Sequence, residues 1–338
     1  MAEPGTVVLV HGPSTGGIRR HVEALAAALP ARGWTVTVVA VPGGPAAWPA
    51  IRRAAAGADV VHAHGLKVGW WATYVPHRPP LVLTVHNVVL DEVAGWRAPA
   101  LRRLERHVAR RVDAVIATSP AVAAAVGGDA VVVIPPFGPV PVPARSRAAV
   151  RRAWGVADDA PVVAAVGRLH PQKGLDGLLD ATAALARQVP GVRVVLVGQG
   201  PLEDHLRRRV AADGLGTVVV LAGATDDAAG ALAAADVVAV PSIWESGPLV
   251  VAEALELGRP VVATPVGFVP ELITDGETGR VVLPGDPEAL AAAVADLLED
   301  PYRAGALGAA GRCRVAAWQD RDDAVDAVAA AYQRVRRR

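Results

Sequence analysis

Two glutamates lie on either side of a glycine–proline pair in the second half of the chain. Glu245 and Glu253 are eight positions apart in the stretch VPSIWESGPLVVAEAL. A carboxylate accepts hydrogen bonds from vicinal hydroxyl groups, as an acidic residue does for ribose in dinucleotide-binding folds. One glutamate could therefore hold a ribose while the other holds a second polyol. The alternative is that Glu245 complements a helix dipole and that Glu253 is a surface residue, and spacing alone does not exclude it.

Two cations follow an apolar segment upstream of these glutamates. In VVAAVGRLHPQKGLD, a predicted strand ends at Gly167, and Arg168 and Lys173 flank a turn that precedes a helix. Cations at a strand end beside a helix N-terminus suit a diphosphate, because both the helix and the side chains attract it. Neutralising a leaving diphosphate is electrostatic catalysis. The alternative is a pair of solvated cations on an ordinary loop.

A glycine-containing loop follows the first predicted strand. Gly12, Gly16 and Gly17 lie between that strand and a helix that we expect to begin near Ile18. Glycines let the backbone approach a ligand closely, and a helix N-terminus favours an anion. The spacing is not G-x-G-x-x-G, which disfavours a nicotinamide dehydrogenase. A flexible connection between strand and helix is the alternative.

Histidines occur near the ends of two further predicted strands. His62 and His64 occupy alternate positions of one strand and can reach the same point, while His86 ends another strand and precedes Asn87. No third metal ligand has a convincing spacing, so we predict packing and hydrogen bonding there rather than a metal site. His86 and Asn87 are either a site candidate where an apolar strand meets a cleft or a capping pair for the next segment.

The composition is that of a globular protein without a strong overall charge. The 338 residues are 52% hydrophobic, and 34 Lys and Arg nearly balance 33 Asp and Glu. No global field favours nucleic acid, so we predict no such partner. Cys313 is the single cysteine, which excludes an intrachain disulfide and fits a reducing compartment. With no signal-peptide pattern and no apolar run near the roughly 18 residues that span a bilayer, we expect a cytoplasmic protein.

Val-rich runs alternate with helical patterns along the whole chain. Strands are predicted at 6–10, 35–41, 58–64, 81–86, 113–118, 130–135, 161–167, 193–198, 217–222, 236–240, 260–264 and 280–283. Helices of the second half are predicted at 174–188, 201–212, 249–257, 286–298 and beyond 301. Apolar strands that lack strict alternation and are joined by helices indicate doubly wound parallel sheets.

A Pro-rich stretch, PPFGPVPVPARSR at 135–147, separates two such alternating regions and is predicted to be a linker. We therefore expect an α/β fold of two Rossmann-like domains, 1–140 and 141–315, that face a cleft. A C-terminal helix at 316–338 is expected to pack back on the N-terminal domain. Ligands of such sheets bind beyond the carboxyl ends of the strands, where the residues named above lie.

The segment LRRLERHVARRV at 101–112 is rich in arginine and has apolar residues at 101, 104, 108 and 112. One interpretation is a basic amphipathic helix that contacts anionic lipid at the inner face of the membrane. The other is an ordinary helix with one buried stripe, in a chain where arginine is abundant everywhere.

These stretches together resemble the retaining GT-B glycosyltransferases of family 4, the glycosyl transferases group 1. The resemblance is carried, in chain order, by GGIRRHVEALAAAL, VVHAHG, VGRLHPQKGLD and PSIWESGPLVVAEALELGRPVVATPVG. It is densest from 162 to 300, and two glutamates separated by seven residues are the family's signature.

The resemblance implies a hexosyltransferase that moves a sugar from a nucleoside-diphosphate-sugar donor to an acceptor hydroxyl of a lipid, a glycan or a small metabolite, with retention of configuration. Arg168 and Lys173 would hold the donor diphosphate. Glu245 would contact hydroxyls of the donor sugar, and Glu253 would bind the nucleotide ribose. The C-terminal domain would take the donor and the N-terminal domain the acceptor.

The resemblance also gives roles to residues of the N-terminal domain. Gly16 and Gly17 would lie close to the phosphates and the sugar of the donor, and His86 would sit by the anomeric carbon. No metal and no cofactor are needed in this family, because cationic side chains and helix N-termini neutralise the leaving group.

The signature region departs from the family pattern in two places. Ser246, Gly247 and Pro248 replace the usual Gly-Phe-Gly after the first glutamate. Pro248 has no backbone N–H, so sugar contacts must come from Ser246, Gly247 or Leu249. Phe268 stands where a second glycine is common, next to the expected donor loop.

Two rival functions fit part of this pattern. A sugar-nucleotide epimerase of GT-B architecture would bind a similar donor but transfer to no acceptor. A catalytically silent nucleotide-sugar-binding protein would be expected to lack Arg168, Lys173 or a signature glutamate, and all of them are present.

Overall fold

The computed structural model describes residues 5–13, 17–89, 94–133, 140–318 and 321–337. The chain divides into two compact units, one formed by 1–138 together with 319–338 and the other by 139–318. Each unit is built around one six-stranded parallel sheet. Two parallel sheets with helical connections confirm the predicted α/β class.

The strands coincide with the Val-rich runs of the sequence. The described residues form β1 (Gly5–His11), β2 (Trp34–Ala40), β3 (Val60–His64), β4 (Leu81–Val85), β5 (Ala114–Ala117), β6 (Val131–Val132), β7 (Val162–Val166), β8 (Arg193–Val197), β9 (Val219–Gly223), β10 (Val237–Val240), β11 (Val261–Ala263) and β12 (Arg280–Val281). Every residue of β3, β4, β10 and β11 is buried. Burial on both faces explains why these runs lack a polar alternation.

The helices that join these strands are described with the following bounds: α1 (Gly17–Ala28), α2 (Ala47–Ala55), α3 (Leu66–Ala72), α4 (Ala98–Ala109), α5 (Pro120–Val126), α6 (Arg147–Ala153), α7 (Leu175–Gln188), α8 (Glu203–Ala212), α9 (Ala228–Ala234), α10 (Leu249–Glu256), α11 (Val269–Leu272), α12 (Pro287–Glu299), α13 (Pro301–Trp318) and α14 (Arg321–Arg336). No helix within these ranges is both long enough and apolar enough to cross a bilayer. The sequence did not predict α6, α9 or α11, because four to seven residues are too few to show a helical period.

The Pro-rich stretch predicted as a linker lies only partly within the described residues. Residues 134–139 are outside them, and 140–146 form no regular element. Ser146 ends the stretch by capping α6, since its hydroxyl oxygen accepts a hydrogen bond from the Ala149 N–H at 3.3 Å. A serine at this position satisfies one of the free donors of the first helical turn.

The order of strands reverses once in each sheet. The first sheet runs β2-β1-β3-β4-β5-β6 and the second runs β12-β11-β10-β7-β8-β9. In the first sheet the chain leaves β1 for β2 on one side and then returns to β3 on the other, and in the second it does the same between β7 and β10. Connections on the two sides of such a point diverge, which leaves a crevice beyond the carboxyl ends of the strands.

The last helix, α14, belongs to the first unit. Ala324, Val328 and Tyr332 are buried in the core that contains strands β1, β3 and β4. The Tyr332 ring packs edge-on against Trp34 with centroids 5.0 Å apart. The end of the chain therefore supplies part of the core of the unit that the beginning of the chain builds.

The second unit contains a buried arginine that fixes the start of its central strand. Arg151 is 1% exposed and donates to the carbonyl oxygens of Ala234 and Asp158 and to the Asp236 carboxylate. Asp236 also accepts from the Val162 N–H at 2.8 Å. Burial acts to raise the pKa of Asp236, but the Val162 hydrogen bond and the neighbouring arginines together hold this pKa below its ordinary value.

Replacement of Asp236 by alanine should destabilise the second unit by about 3–5 kcal/mol, because it leaves the buried Arg151 guanidinium without its counter-ion. Denaturant unfolding at neutral pH measures this loss. In the wild type the contribution should weaken as the pH falls through the depressed pKa of Asp236, since the carboxylate is then protonated. Asp275→Ala, which removes an exposed partner of Arg280, is the control and should cost less than about 1 kcal/mol. Equal losses in the two variants would contradict this role of Asp236.

Candidate active site

The predicted cations and glutamates of the second unit lie at the point where its strand order reverses. Strands β7 and β10 are hydrogen-bonded neighbours. Gly167 and Arg168 follow the carboxyl end of β7, and the loop that contains Glu245 follows the carboxyl end of β10. Two loops far apart in sequence are thus brought to one edge of the sheet.

The closest contact between these loops is an ion pair. The Lys173 ammonium group pairs with Oε1 of Glu245. The same oxygen accepts a hydrogen bond from the Ser242 hydroxyl at 3.1 Å, and Ser242 is completely buried. Glu245 is itself only 7% exposed, so its carboxylate is held in a low-dielectric surrounding by two donors. The pair therefore presents a cation and a carboxylate side by side at this edge of the sheet.

A short turn places Lys173 beside Glu245. Pro171–Lys173 forms one turn of 3₁₀ helix, and Nδ1 of His170 accepts from the Gln172 N–H at 3.5 Å. Gly174 ends the turn with a φ of 64°, and a Cβ atom there would overlap the carbonyl oxygen of Pro241. Only glycine permits this close approach of the two loops.

A backbone hydrogen bond then ties the turn to the second loop. The Ile243 N–H donates to the Gln172 carbonyl oxygen at 2.8 Å. The loop that carries Lys173 and the loop that carries Glu245 are therefore joined by backbone as well as by charge.

Arg168 is the exposed cation of this site. Within the part of the chain that the structure describes, its guanidinium has no hydrogen-bond or ion-pair partner. Arg168 also contributes to the lowered pKa of His170, for which burial is the larger cause. A neutral His170 adds no charge, so Arg168 and Lys173 are the positive groups that an anion would meet here.

Glu253 lies one helical turn beyond the loop. Helix α10 begins at Leu249, as predicted, which makes Glu253 its fifth residue. The residue is 7% exposed, so the interpretation of Glu253 as a surface residue is wrong. That alternative assumed that a charged residue on a short helix faces solvent, as such residues usually do.

The departure from Gly-Phe-Gly has a structural counterpart in Phe268. Its ring is completely buried, and a Cβ atom at Gly247 would lie 2.7 Å from Cδ1 of Phe268 and still closer to Cε1. Gly267, with a φ of 62°, lies so near that a Cβ atom would be 2.9 Å from the Ser246 carbonyl oxygen. The loop after Glu245 therefore rests on the aromatic ring, and glycine is required at 247 for steric reasons.

In the first unit the order of strands reverses at β1 and β3. Gly12 follows β1, and Gly17 is the exposed first residue of α1. Gly16, which was predicted to lie near the donor, is outside the described residues. His64 ends β3 and His86 follows β4, so both predicted histidines lie at this edge.

The histidines of the first unit form a buried cluster. Nδ1 of His64 lies 3.2 Å from Nε2 of His86, and the His21 ring on α1 packs edge-on against both with centroids 5.3 and 5.2 Å away. His62 lies behind them, hydrogen-bonded to the Tyr332 and Thr84 hydroxyls at 2.6 Å each. His62 makes the hydrogen bonds predicted for it, whereas His64 makes one, to His86.

Burial keeps these imidazoles neutral. It lowers the pKa of His21 to about 3 and lowers the pKa values of His64 and His86 well below their ordinary range. His21 was not among the residues predicted from the sequence. Its signal was a polar residue directly before Val22 and four positions before Leu25 in α1, on the face that the helix buries.

The basic segment at 101–112 overlaps helix α4, but the face that this helix buries differs from the predicted apolar stripe. Helix α4 buries Glu105 and Val108, whereas Leu101 is 38% exposed. A stripe through 101, 104, 108 and 112 is therefore not the buried face. Burial raises the pKa of Glu105, which further distinguishes this face from a simple apolar stripe. Contact of the exposed arginines with lipid stays a prediction.

Solved structures with the same architecture identify the class. The Anabaena protein Alr3699/HepE in complex with UDP-glucose superimposes with a TM-score of 0.83 at 23% identity, covering 96% of this chain and 98% of that one. Sucrose-phosphate synthase from Thermosynechococcus elongatus gives 0.81 at 26% identity, covering 98% of both chains. The fold is that of the GT-B glycosyltransferases.

Sequence comparison then gives the family. The family described as glycosyl transferases group 1 matches residues 146–314, and a glycosyl transferase 4-like domain matches residues 41–136. The chain belongs to the glycosyl transferases group 1 family, which confirms the resemblance on which the site assignments rest.

Two relatives illustrate the range of this similarity. A GDP-mannose-dependent alpha-(1-6)-phosphatidylinositol monomannoside mannosyltransferase of Mycolicibacterium smegmatis is 34% identical over 78% of this chain and 67% of its own length. A D-inositol 3-phosphate glycosyltransferase of Actinosynnema mirum is 36% identical over 66% of this chain and 60% of its own. The chain thus spans about 60 to 67% of the length of these relatives.

Replacement of Gly247 by alanine should lower the stability of the loop after Glu245 by about 1–3 kcal/mol, because the added methyl group meets the buried Phe268 ring. Thermal melting measures this loss. The double variant Gly247→Ala with Phe268→Leu should recover part of it, since leucine frees space at the ring edge. Gly305→Ala, at an exposed helical position with open space around it, is the control and should be neutral or stabilising. A wild-type melting temperature in Gly247→Ala would show that the loop does not rest on Phe268.

Proposed function

We propose that the chain is a retaining glycosyltransferase that transfers a hexose from a nucleoside-diphosphate-sugar donor to a hydroxyl group of an acceptor. The observation that carries this proposal is the convergence of Arg168, Lys173 and Glu245 at the reversal point of the second sheet. Two cations suit a diphosphate, and a carboxylate held beside them suits sugar hydroxyls. Family membership and the UDP-glucose complex of a protein with the same fold support it.

In the proposed reaction the bond between the anomeric carbon and the leaving phosphate oxygen breaks while a new bond forms to the acceptor oxygen on the same face. Negative charge grows on the diphosphate as the bond breaks. Arg168 and Lys173 stabilise that charge, so no divalent ion is required at the phosphates. The leaving phosphate oxygen takes the proton of the acceptor hydroxyl. The nucleoside diphosphate is a product, and no cofactor takes part.

The remaining residues bind and orient the donor. Glu245 accepts hydrogen bonds from hydroxyls of the transferred sugar, and its pairing with Lys173 holds the carboxylate in place. Glu253 accepts hydrogen bonds from the ribose hydroxyls. Pro248 offers no amide hydrogen, so the contacts of this loop to the sugar come from Ser246, Gly247 or Leu249.

In the first unit, His86 is proposed to contact the sugar near the anomeric carbon, and Gly16 and Gly17 the donor phosphates. The neutral state of His86 suits a hydrogen-bonding role rather than a charged one. The named relatives use acceptors that carry an inositol group, and we propose a polyhydroxylated acceptor of the same chemical kind.

The two glutamates can be separated experimentally. Glu245→Gln should leave the affinity for free nucleoside diphosphate nearly unchanged while turnover falls, because its partner is the sugar. Glu253→Ala should weaken donor and free nucleoside diphosphate alike by about 1.5–3 kcal/mol, since both contain the ribose. Calorimetry with UDP, GDP and ADP, together with turnover of the matching donor, measures the difference.

Glu299→Gln, a substitution on the exposed end of α12, is the control and should change neither quantity. Equal loss of nucleotide affinity in the Glu245 and Glu253 variants would refute the division of roles. A Glu245 variant with full activity and a lowered melting temperature would reduce that residue to a structural partner of Lys173.

Lys173→Ala and Arg168→Ala should each lower kcat by about 100-fold or more, with a smaller effect on donor affinity, because the charge that they stabilise develops during bond breaking. Release of nucleoside diphosphate with appearance of the glycosylated acceptor is the assay, and it also distinguishes transfer from epimerisation. Arg207→Ala, which removes an exposed cation of α8, is the matched control.

The same assay tests the metal-free chemistry. Wild-type turnover should persist in EDTA, since cationic side chains take the place of a metal ion. Turnover within threefold of the wild type in both cation variants, or a strict requirement for an added divalent metal, would contradict the proposed mechanism.

A further inference from the structure

Three buried imidazoles converge at the reversal point of the first sheet. His21 comes from α1, His64 from the end of β3 and His86 from the residue after β4. Each can offer one ring nitrogen such that the three atoms lie within 4.8 Å of one another. One helix and the ends of two strands therefore bring three ring nitrogens toward a common point.

Polar atoms of this cluster are left without partners. Among the described residues, neither ring nitrogen of His21 has a hydrogen-bond partner, and Nε2 of His64 has none either. Both residues are only 2% exposed. A buried polar atom without a hydrogen bond costs free energy, so such atoms are rare and need a cause. The neighbouring His62 shows the contrast, because both of its nitrogens are hydrogen-bonded.

We propose that His21, His64 and His86 form a binding site for a divalent transition-metal ion of the zinc type. Zinc–nitrogen bonds of about 2.0–2.1 Å in tetrahedral geometry place two ligand nitrogens about 3.4 Å apart. No distance in the cluster would then need to shorten by more than about 1.4 Å. Ring rotation of side chains on fixed elements can supply a movement of this size.

The donor set selects the kind of ion. All three groups are imidazoles, which suit zinc, copper or nickel, whereas magnesium and calcium prefer oxygen ligands. Three protein ligands leave a fourth position open to water or to another small ligand. Burial favours the neutral imidazole, which is the form that binds a metal.

Occupation of this site has a consequence that rests on the proposed function. His86 would be a ligand of the ion and could no longer hydrogen-bond to the donor sugar. Bound zinc should therefore inhibit transfer, and a chelator should restore it. The ion would be an inhibitor and not a participant in the reaction, so this consequence agrees with metal-free chemistry at the diphosphate.

Zinc titration of the full chain, without an affinity tag and stripped with a chelator, tests the proposal. Competition with a chromophoric chelator should show one zinc ion per chain, and the cobalt form should show the visible absorption of a tetrahedral site. His21→Leu should weaken zinc binding by at least about 100-fold, since loss of an outer-shell partner alone costs about 10–100-fold. This variant breaks no hydrogen bond to a described residue and keeps the site filled.

Two control variants account for other zinc-binding groups. His107→Leu removes an exposed histidine of α4, and Cys313→Ser removes the exposed thiol. Both should bind zinc like the wild type. Zinc should also raise the melting temperature of the wild type and of both controls, but not that of His21→Leu. A purely structural role of His21 would move the melting temperature of the metal-free variant without changing zinc affinity.

Absence of tight zinc binding in the wild type, or equal affinity in wild type and His21→Leu, would overturn the proposed site. Inhibition of transfer by zinc in the wild type and its relief in His21→Leu would support both the site and the role of His86. Zinc binding that is lost in His21→Leu but never inhibits transfer would support the site and refute the assignment of His86.

Discussion

The ion pair between Lys173 and Glu245 depends on a constraint of parallel sheets. The carboxyl ends of all strands of such a sheet lie at the same edge. Two adjacent loops diverge only at the point where the strand order reverses, because the chain there continues to opposite sides of the sheet. In the second unit that point lies between β7 and β10. The chain uses it to bring a lysine from one loop against a glutamate from the other, and it reinforces the contact with the backbone hydrogen bond from Ile243 to Gln172. Without this pairing, the cations and the carboxylate would be separate features of two loops.

The two units satisfy their buried polar groups to different extents at equivalent points of their sheets. In the second unit, Glu245 is buried together with two donors, so its charge is compensated before any ligand binds. In the first unit, His21 and one nitrogen of His64 are buried without partners among the described residues. Burial of uncompensated polar atoms opposes folding, and the surrounding Val-rich strands must offset that cost. This difference is the physical basis for assigning a ligand to the histidine cluster.

The loop after Glu245 shows how a local departure is absorbed by packing. Phe268 fills the space beneath Gly247, and Gly267 adopts a positive φ that brings its backbone against Ser246. The ring is buried among residues of the second unit and not exposed to ligand. An aromatic side chain at 268 and glycine at 247 are therefore mutually dependent, and a larger residue at either position would displace the backbone that leads into α10.

The sequence by itself determined the fold class and the element that carries each candidate residue. Short runs rich in β-branched valine that alternate with helical patterns indicate strands covered on both faces, and Glu245, Arg168 and His86 each follow such a run. It could not determine that Lys173 meets Glu245, or that His21 joins His64 and His86. Those contacts link positions distant in the chain, and whether they form is decided by strand order and by the path of helix α1. The burial of Glu253 was likewise decided by packing, because the pattern of a single short helix does not show which face the rest of the unit covers.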